Sequence, residues 1–489
     1  MKKGIVILTF SLLLCPAILI NGQDLTPGKT SMLTPDYLFN PDPTMHVIDD
    51  RLYLFTSHDQ STERFIKGDF GTMFDYHAMS TTDLKTWVDH GSILSIHDVS
   101  WAKDNMVWDG DAGIEANGKY YAYMPFSFEI GVLVSDHPAG PYVDALGRPL
   151  VPHGLKTDKG EEVKGSGLLV SPMVFFDEGD PYLVFGHFAI YIVKLKPNMI
   201  EFAGPIQKIK NPHDYVESPM ITKIDSRYYL TYSNGGMWGE QEFPPGRIMY
   251  CIADNPLGPY GEPAILQDIQ INPDGQGYMH KYASSAHQAL ARYRGQWYFA
   301  YQRDSKHETH RHVCITKLDV NPDGSLGVID PNNDPGVGAG PIDFILDAFA
   351  PYKREAEEFH ARHKAQEELG IRQDYHFKML DGSWLRFNRM DFEEGAGGCR
   401  ISVSCEQDDI EGAVVEFRLD SVDGELIGSV PVSATDGKMN YTLLTAKVKK
   451  VPGIHDLFIV ARNQGIDRQG HLFNINWFTF TRESRQVMP

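Results

Sequence analysis

Five times along the first two thirds of the chain, a short polar turn leads into a strand dense in aromatic residues. The copies are Asp49-Asp50-Arg51-Leu52-Tyr53-Leu54-Phe55, Asn117-Gly118-Lys119-Tyr120-Tyr121-Ala122-Tyr123, Glu178-Gly179-Asp180-Pro181-Tyr182-Leu183-Val184-Phe185, Asp225-Ser226-Arg227-Tyr228-Tyr229-Leu230-Thr231-Tyr232 and Arg294-Gly295-Gln296-Trp297-Tyr298-Phe299-Ala300-Tyr301. Each has an apolar run just upstream, so each reads as a β-hairpin. The markers Asp50, Gly118, Gly179, Ser226 and Gly295 are 68, 61, 47 and 69 residues apart. A hairpin of one type at this period fits radially repeated four-stranded sheets, and five copies predict a five-bladed β-propeller over residues 30–330. A β-sandwich also contains hairpins but does not need one type at this spacing.

The pattern then breaks. Residues 331–341 read PNNDPGVGAGP, so 331–350 is expected to be a linker. Residues 353–369 read locally as helix. From Phe377 short strands return: Trp384-Leu385-Arg386-Phe387, Cys399 to Cys405, Ala413 to Leu419, Glu425 to Val430, Leu457 to Val460 and Asn474 to Phe480. Residues 351–482 are therefore expected to form a separate β-sandwich, of jelly-roll type, and the whole chain to be all-β.

Composition adds two limits. The formal net charge is −20, with no basic stretch to offset it, which argues against nucleic-acid binding. After Met1-Lys2-Lys3 an apolar run extends from Ile5 to Ile20, broken by Pro16. That is the pattern of a signal peptide over residues 1–22, too short for a comfortable membrane span. Secretion or delivery to the periplasm is expected. A lipid-anchored surface form is disfavoured because Leu12-Leu13-Leu14 precedes Cys15 where a small residue is usual. No later segment is long and apolar enough to span a bilayer. Four further cysteines contain no Cys-x-x-Cys pair, so a structural zinc site is not expected.

In a propeller the inner strands converge on one axis, so carboxylates at their starts are the candidates for chemistry. Asp42, in Asn40-Pro41-Asp42-Pro43-Thr44, stands at the start of the first. It reads equally as a turn aspartate, since Asn272-Pro273-Asp274-Gly275 and Asn321-Pro322-Asp323-Gly324 are plain turns of that type. Glu217, in Tyr215-Val216-Glu217-Ser218-Pro219-Met220, occupies the corresponding place in the fourth repeat. It is either a strand-end glutamate in water or a desolvated acid with a raised pKa. His287 precedes the fifth hairpin, where a lone histidine is more often structural than a ligand. Trp101 and Trp108 lie in loops and, with Arg303, are the candidate sugar contacts.

These residues resemble glycoside hydrolase family 43. The likeness rests on Asp42-Pro43, Tyr53-Leu54-Phe55, the run Asp75-Tyr76-His77-Ala78-Met79-Ser80-Thr81-Thr82-Asp83-Leu84-Lys85-Thr86-Trp87, Asn117-Gly118-Lys119-Tyr120-Tyr121, Glu217-Ser218-Pro219 and His287. The C-terminal part resembles carbohydrate-binding module family 6 through Glu355-Ala356-Glu357, Asp381-Gly382-Ser383-Trp384, Gly453-Ile454-His455-Asp456-Leu457 and Phe473-Asn474-Ile475-Asn476-Trp477. The resemblance implies an inverting glycosidase with Asp42 as general base and Glu217 as general acid. It also implies structural calcium in both domains, near His287 and at Glu355, Glu357 and Asn476, with no cofactor for the chemistry itself. It expects a strand, not a helix, at Glu355.

One departure matters. The family usually places a third carboxylate, which tunes the acid, before a proline at the start of blade three. Here Ser171 occupies that position. Either another carboxylate substitutes, with Asp109 and Asp111 as candidates, or the protein is a weakly active or non-catalytic glycan binder. The first reading is a hydrolase acting on plant-type polysaccharide side chains, of α-L-arabinofuranosidase or β-xylosidase type, with an oligosaccharide or polysaccharide as its partner.

Overall fold

A computed structural model describes residues 33, 40–59, 73–102, 106–164, 167–234, 247–268, 287–304, 311–331, 334, 336–337, 343–348, 358–360, 377–405, 412–435, 437–463 and 471–482. The expected signal peptide, Glu355 and Glu357 lie outside them. Within them the chain is built from strands, with one short 3-10 turn at Ile96–Asp98. No helix among the described residues is long and apolar enough to cross a membrane.

Five antiparallel sheets follow in chain order. Blade one is β1 (Thr44–Ile48), β2 (Arg51–Ser57), β3 (Asp75–Thr81) and β4 (Thr86–Ser95). Blade two is β5 (Asp111–Ala116), β6 (Lys119–Phe126), β7 (Glu129–Ser135) and β8 (Val143–Asp144). Blade three is β9 (Met173–Asp177), β10 (Asp180–Phe185), β11 (Ile190–Lys194) and β12 (Gln207–Ile209). Blade four is β13 (Glu217–Ile224), β14 (Arg227–Ser233), β15 (Ile248–Ala253) and β16 (Ala264–Gln267), and blade five is β17 (Gln288–Tyr293), β18 (Gln296–Asp304) and β19 (Arg311–Leu318).

Each expected hairpin joins the first two strands of its blade. The turns explain why the sequence signal is polar. Asp49 and Asp50, Asn117 and Gly118, and Arg294 and Gly295 all have positive φ, the conformation of the two-residue turns whose twist matches paired strands. The aromatic residues that follow fill the spaces between blades. Leu52, Leu54, Met79 and Trp87 of blade one pack with Ala289, Tyr298 and Val313 of blade five, which closes the ring. The other four apolar clusters each lie between neighbouring blades. The inner strands β1, β5, β9, β13 and β17 consequently adjoin one another around the axis.

The C-terminal domain comprises β20 (Asp343–Asp347), β21 (Glu358–His360), β22 (Phe377–Leu380), β23 (Trp384–Asp391), β24 (Gly398–Cys405), β25 (Ala413–Leu419), β26 (Glu425–Pro431), β27 (Gly437–Lys447), β28 (Ile454–Asn463) and β29 (His471–Thr481). One sheet runs β22-β29-β24-β27. It faces β23, β28, β25 and β26 across a core that includes Leu385, Phe387, Phe417, Ile459, Phe478 and Phe480. Two readings change. The stretch read as a linker contains β20, whose apolar Phe344-Ile345-Leu346 pairs in parallel with β4 of blade one and with β23 of the sandwich. The described part of the helix-like stretch is β21, which pairs with β23, because a tertiary partner outweighs local propensity. All four cysteines after Cys15 are buried.

Candidate active site

One feature recurs at the mouth of the ring. Two residues before regular pairing begins on β1, β5, β9 and β13, the chain takes a left-handed conformation: Asp42 (φ 54°), Asp109 (φ 53°), Ser171 (φ 55°) and Ser218 (φ 58°). Non-glycine residues hold such a φ only where surrounding contacts fix it. Here the contacts are explicit. The buried Tyr76 hydroxyl donates to the Gly110 carbonyl (2.8 Å) and lies 3.4 Å from that of Asp42. The Asp42 N–H donates to Gln302 Oε1 (2.9 Å) and the Asp109 N–H to Ser57 Oγ (3.0 Å). Gly110 is obligatory for a related reason: a Cβ there would lie 2.1 Å from Met124 Sδ and 2.7 Å from the Tyr123 carbonyl.

The side chains form one connected network. Arg311 donates from Nη1 to Asp42 Oδ1 (2.9 Å) and from Nη2 and Nε to Asp59 (2.8 and 3.0 Å). Asp42 Oδ2 is buried and makes no hydrogen bond among the described residues. His287 Nδ1 donates to Asp109 Oδ1 (2.7 Å) and its Nε2 lies 3.6 Å from Asp42 Oδ1. Ser171 donates to Asp109 Oδ2, and its oxygen accepts from the Ser218 N–H (3.2 Å). Ser218 Oγ also meets His287 Nδ1. On the other side of Glu217, His187 Nε2 stands 3.8 Å from Oε2.

The charges follow from this enclosure. Burial pushes the Glu217 carboxyl up to about 8, with Asp109 and Asp42 reinforcing the shift against His287 and Arg311. Its side chain is 15% exposed, so the raised acid still reaches the opening. Burial opposes a charge on His287, but Asp109 and Asp42 outweigh it and hold the imidazolium up to about 9. Burial also raises Asp109, against the pull of His287. His187 is lowered to about 4 by burial alone, so it is neutral beside Glu217. At neutral pH the site therefore offers a protonated carboxyl, Glu217, in the field of Asp42, whose Oδ1 a guanidinium clamps. A proton donor beside a second, clamped carboxyl group is an arrangement suited to acid–base chemistry.

Of the residues expected from sequence, Asp42, Glu217, His287 and Ser171 come together. Between the two candidate substitutes for the third carboxylate, Asp109 faces this network. Asp111 is spent joining blades: it pairs with His46 Nε2 (2.6 Å) and accepts from the Val174 N–H (2.9 Å). Trp108 is half-buried next to Asp109, edge-on to Phe128 at 5.7 Å between ring centroids. Trp101 is not brought to the carboxylates. Its N–H donates to Asp144 on β8, the outermost strand of blade two, and its ring packs on Phe126. Arg303 lies on β18, but its side chain is outside the described residues. Arg311, Asp59 and His187 were not picked out by sequence, because no motif marks a partner that the fold supplies from another blade.

Comparison with known proteins agrees with this architecture. The family model described as Glycosyl hydrolases family 43 matches residues 37–326, and that of Carbohydrate binding module (family 6) matches residues 364–482. The chain is 26% identical over 495 residues to an arabinoxylan arabinofuranohydrolase of Paenibacillus polymyxa, covering 93% of this chain and 75% of that one. It is 26% identical over 355 residues to a xylosidase/arabinosidase of Bacteroides ovatus, covering 62% of this chain and 98% of the relative. In fold it is similar to the solved family 43 arabinoxylan arabinofuranohydrolase of Bacillus subtilis, with TM-score 0.51, 23% identity and coverage of 93% and 99% of the two chains.

Proposed function

This chain belongs to glycosyl hydrolase family 43, and from that premise we propose that it removes arabinofuranosyl or xylosyl side groups from a plant-type polysaccharide with inversion at the anomeric carbon. Glu217 protonates the leaving oxygen. Asp42 Oδ2 takes a proton from the attacking water while Arg311 holds Oδ1 in place. Asp109 performs the task of the third carboxylate, with Ser171 as its hydrogen-bond donor. Trp108 and Phe128 offer an aromatic wall for the sugar. The observation that carries the reading is the enclosure of Glu217, which raises its pKa, in one field with the clamped Asp42. The relatives named for arabinose and xylose release support the choice of sugar. Asp109 removes the reason for preferring a non-catalytic binder.

The test is incubation with arabinoxylan, arabinan, xylan and arabinogalactan, with the released sugar followed by proton NMR. Arabinose or xylose is expected to appear first as the anomer opposite to that of the bound residue. Retention, or no release from any of the four, would overturn the proposal.

The proposal places the protein outside the cell or in the periplasm, on the strength of residues 1–22; a mature N-terminus near Gly22, read by Edman degradation, is expected, and an intact Met1 in exported protein would refute it. Calcium is assigned only to the sandwich. His287 does not fit as a calcium ligand, because calcium takes oxygens and this ring offers only nitrogens, Nδ1 to Asp109 and Nε2 beside Asp42. The imidazolium supplies the positive charge between Asp42 and Asp109. In the sandwich, Asn476 on β29 is half-buried and offers an amide oxygen of the kind calcium takes, with Glu355 and Glu357 as its expected companions. Adding calcium to calcium-free protein is expected to raise the unfolding temperature and leave kcat/KM unchanged. A calcium-dependent kcat/KM would place the ion in the propeller instead.

A further inference from the structure

Blade one holds a second buried cluster that the hydrolytic site does not use. On β3, Asp75 and His77 are two residues apart and therefore project from the same face. His58 follows β2, one step beyond the Ser57–Tyr76 pair, which sets it opposite Asp75. Asp89 comes from β4, where it pairs with Met79, two residues after His77, which sets its side chain on the same face. His58 is 5% exposed, and Asp75, His77 and Asp89 are 0% exposed.

The donor atoms lie near enough to one another to close on a single ion. His58, Asp75 and His77 each offer a donor atom within 4.8 Å of the other two. The His58 and His77 rings stand 4.4 Å apart. His58 Nδ1 lies 2.9 Å from Asp75 Oδ1, and His77 Nε2 lies 3.8 Å from Asp75 Oδ2. The far nitrogen of His77, Nδ1, faces Asp89 Oδ1 at 3.8 Å. A carboxylate behind the second nitrogen is how metal-bound histidines are oriented and made more basic. Donor atoms around a tetrahedral ion stand about 3.4 Å apart, so closure asks for about an ångström of contraction.

We propose that His58, Asp75 and His77 form a structural site for a divalent transition-metal ion of the zinc type, with Asp89 orienting His77. Two imidazoles and one carboxylate are a donor set for zinc, cobalt or nickel and not for calcium, which takes oxygens. The absence of paired cysteines thus gives no guide to zinc here. The site has a structural consequence. Asp59, the residue after His58, holds Arg311 through both Nε and Nη2, and Arg311 holds Asp42. An ion fixing His58 stiffens the chain one residue from that clamp.

The test uses the full chain, stripped of metal and then titrated with zinc or cobalt(II) in excess calcium. One equivalent of zinc is expected to survive gel filtration, cobalt is expected to show the visible bands of a four-coordinate nitrogen and oxygen site, and the unfolding temperature is expected to rise. His58→Gln and His77→Gln are each expected to abolish retention, and Asp89→Asn to weaken affinity about 10–100-fold. Failure of the wild type to retain zinc, or retention undiminished in both histidine variants, would mean the cluster is a buried ion-pair network only. Should the variants not fold, the wild-type cobalt spectrum decides alone: no bands, or bands of a six-coordinate all-oxygen site, would overturn the proposal. None of these outcomes depends on hydrolysis.

Discussion

Glu217→Gln is expected to lower hydrolysis of the natural polysaccharide about 10²–10⁴-fold while leaving aryl glycosides with good leaving groups much less affected. A leaving group that departs as a stable anion does not need the proton that Glu217 supplies. Asp42→Asn is expected to lose activity to a similar extent on both substrates, because water must be activated whatever leaves. Steady-state rates on arabinoxylan and on aryl glycosides of graded leaving-group pKa check this. Equal losses by both variants on every substrate would contradict the division of labour. The Glu217 carboxyl also has a thermodynamic signature. Its pKa in the folded protein, about 8, is above the ordinary value near 4.5, so the folded state binds the extra proton in between. Stability is then lost as pH rises from the ordinary carboxylate range to about 8. Glu217→Gln is accordingly expected to unfold at a higher temperature than the wild type at pH 9.

Asp109→Asn carries the second large effect. Asp109 lifts the pKa of Glu217, so its removal takes the alkaline limb of kcat/KM from near 8 to lower pH. Activity is present while Glu217 is protonated and is lost as pH rises through that limb, so the variant is poorest at neutral and alkaline pH. Each unit of downward shift removes about tenfold of the protonated acid above the new pKa, and a loss of about 10–100-fold near pH 8 is expected. Ser171→Asp alone is expected to impair the enzyme as well. It sets a second carboxylate against Asp109, where Ser171 now donates a hydrogen bond. The pair of changes, Asp109→Asn with Ser171→Asp, restores one carboxylate at the family's usual place and is expected to recover most of the lost rate. An unshifted alkaline limb in Asp109→Asn would show that Asp109 does not act on the acid.

Much of this architecture can be read from the sequence, for local reasons. The hairpins announce themselves because positive-φ turns favour Asp, Asn or Gly, one of which stands in each of these turns, and because the interblade spaces are filled by aromatics. Asp42, Ser171 and Ser218 each precede a proline at the entry to an inner strand, and that shared pattern marks the ring of site residues. Asp109 lacks it, since Gly110 follows, where Met124 leaves no space for a side chain. The equivalence of Asp109 with Asp42 and Ser171 is visible only in the backbone. Arg311 reaches Asp42 from 269 positions away and Asp59 from 252, separations at which no motif forms. β20 hides in a stretch that looks like a linker because its partners, β4 and β23, come from both sides of it. Trp101 resembled a sugar contact by type alone. Its partner Asp144, 43 residues on, fixes it to the outer edge of blade two.

The protonation state of Glu217 underlies every step, and isotope-edited infrared difference spectroscopy reads it without turnover. With glutamate labelled, a carbonyl band of a neutral carboxyl is expected at pH 7, fading with a midpoint near 8 and missing in Glu217→Gln. A Glu217 carboxyl already ionised at pH 7, titrating in the ordinary carboxylate range, would contradict its role as the acid.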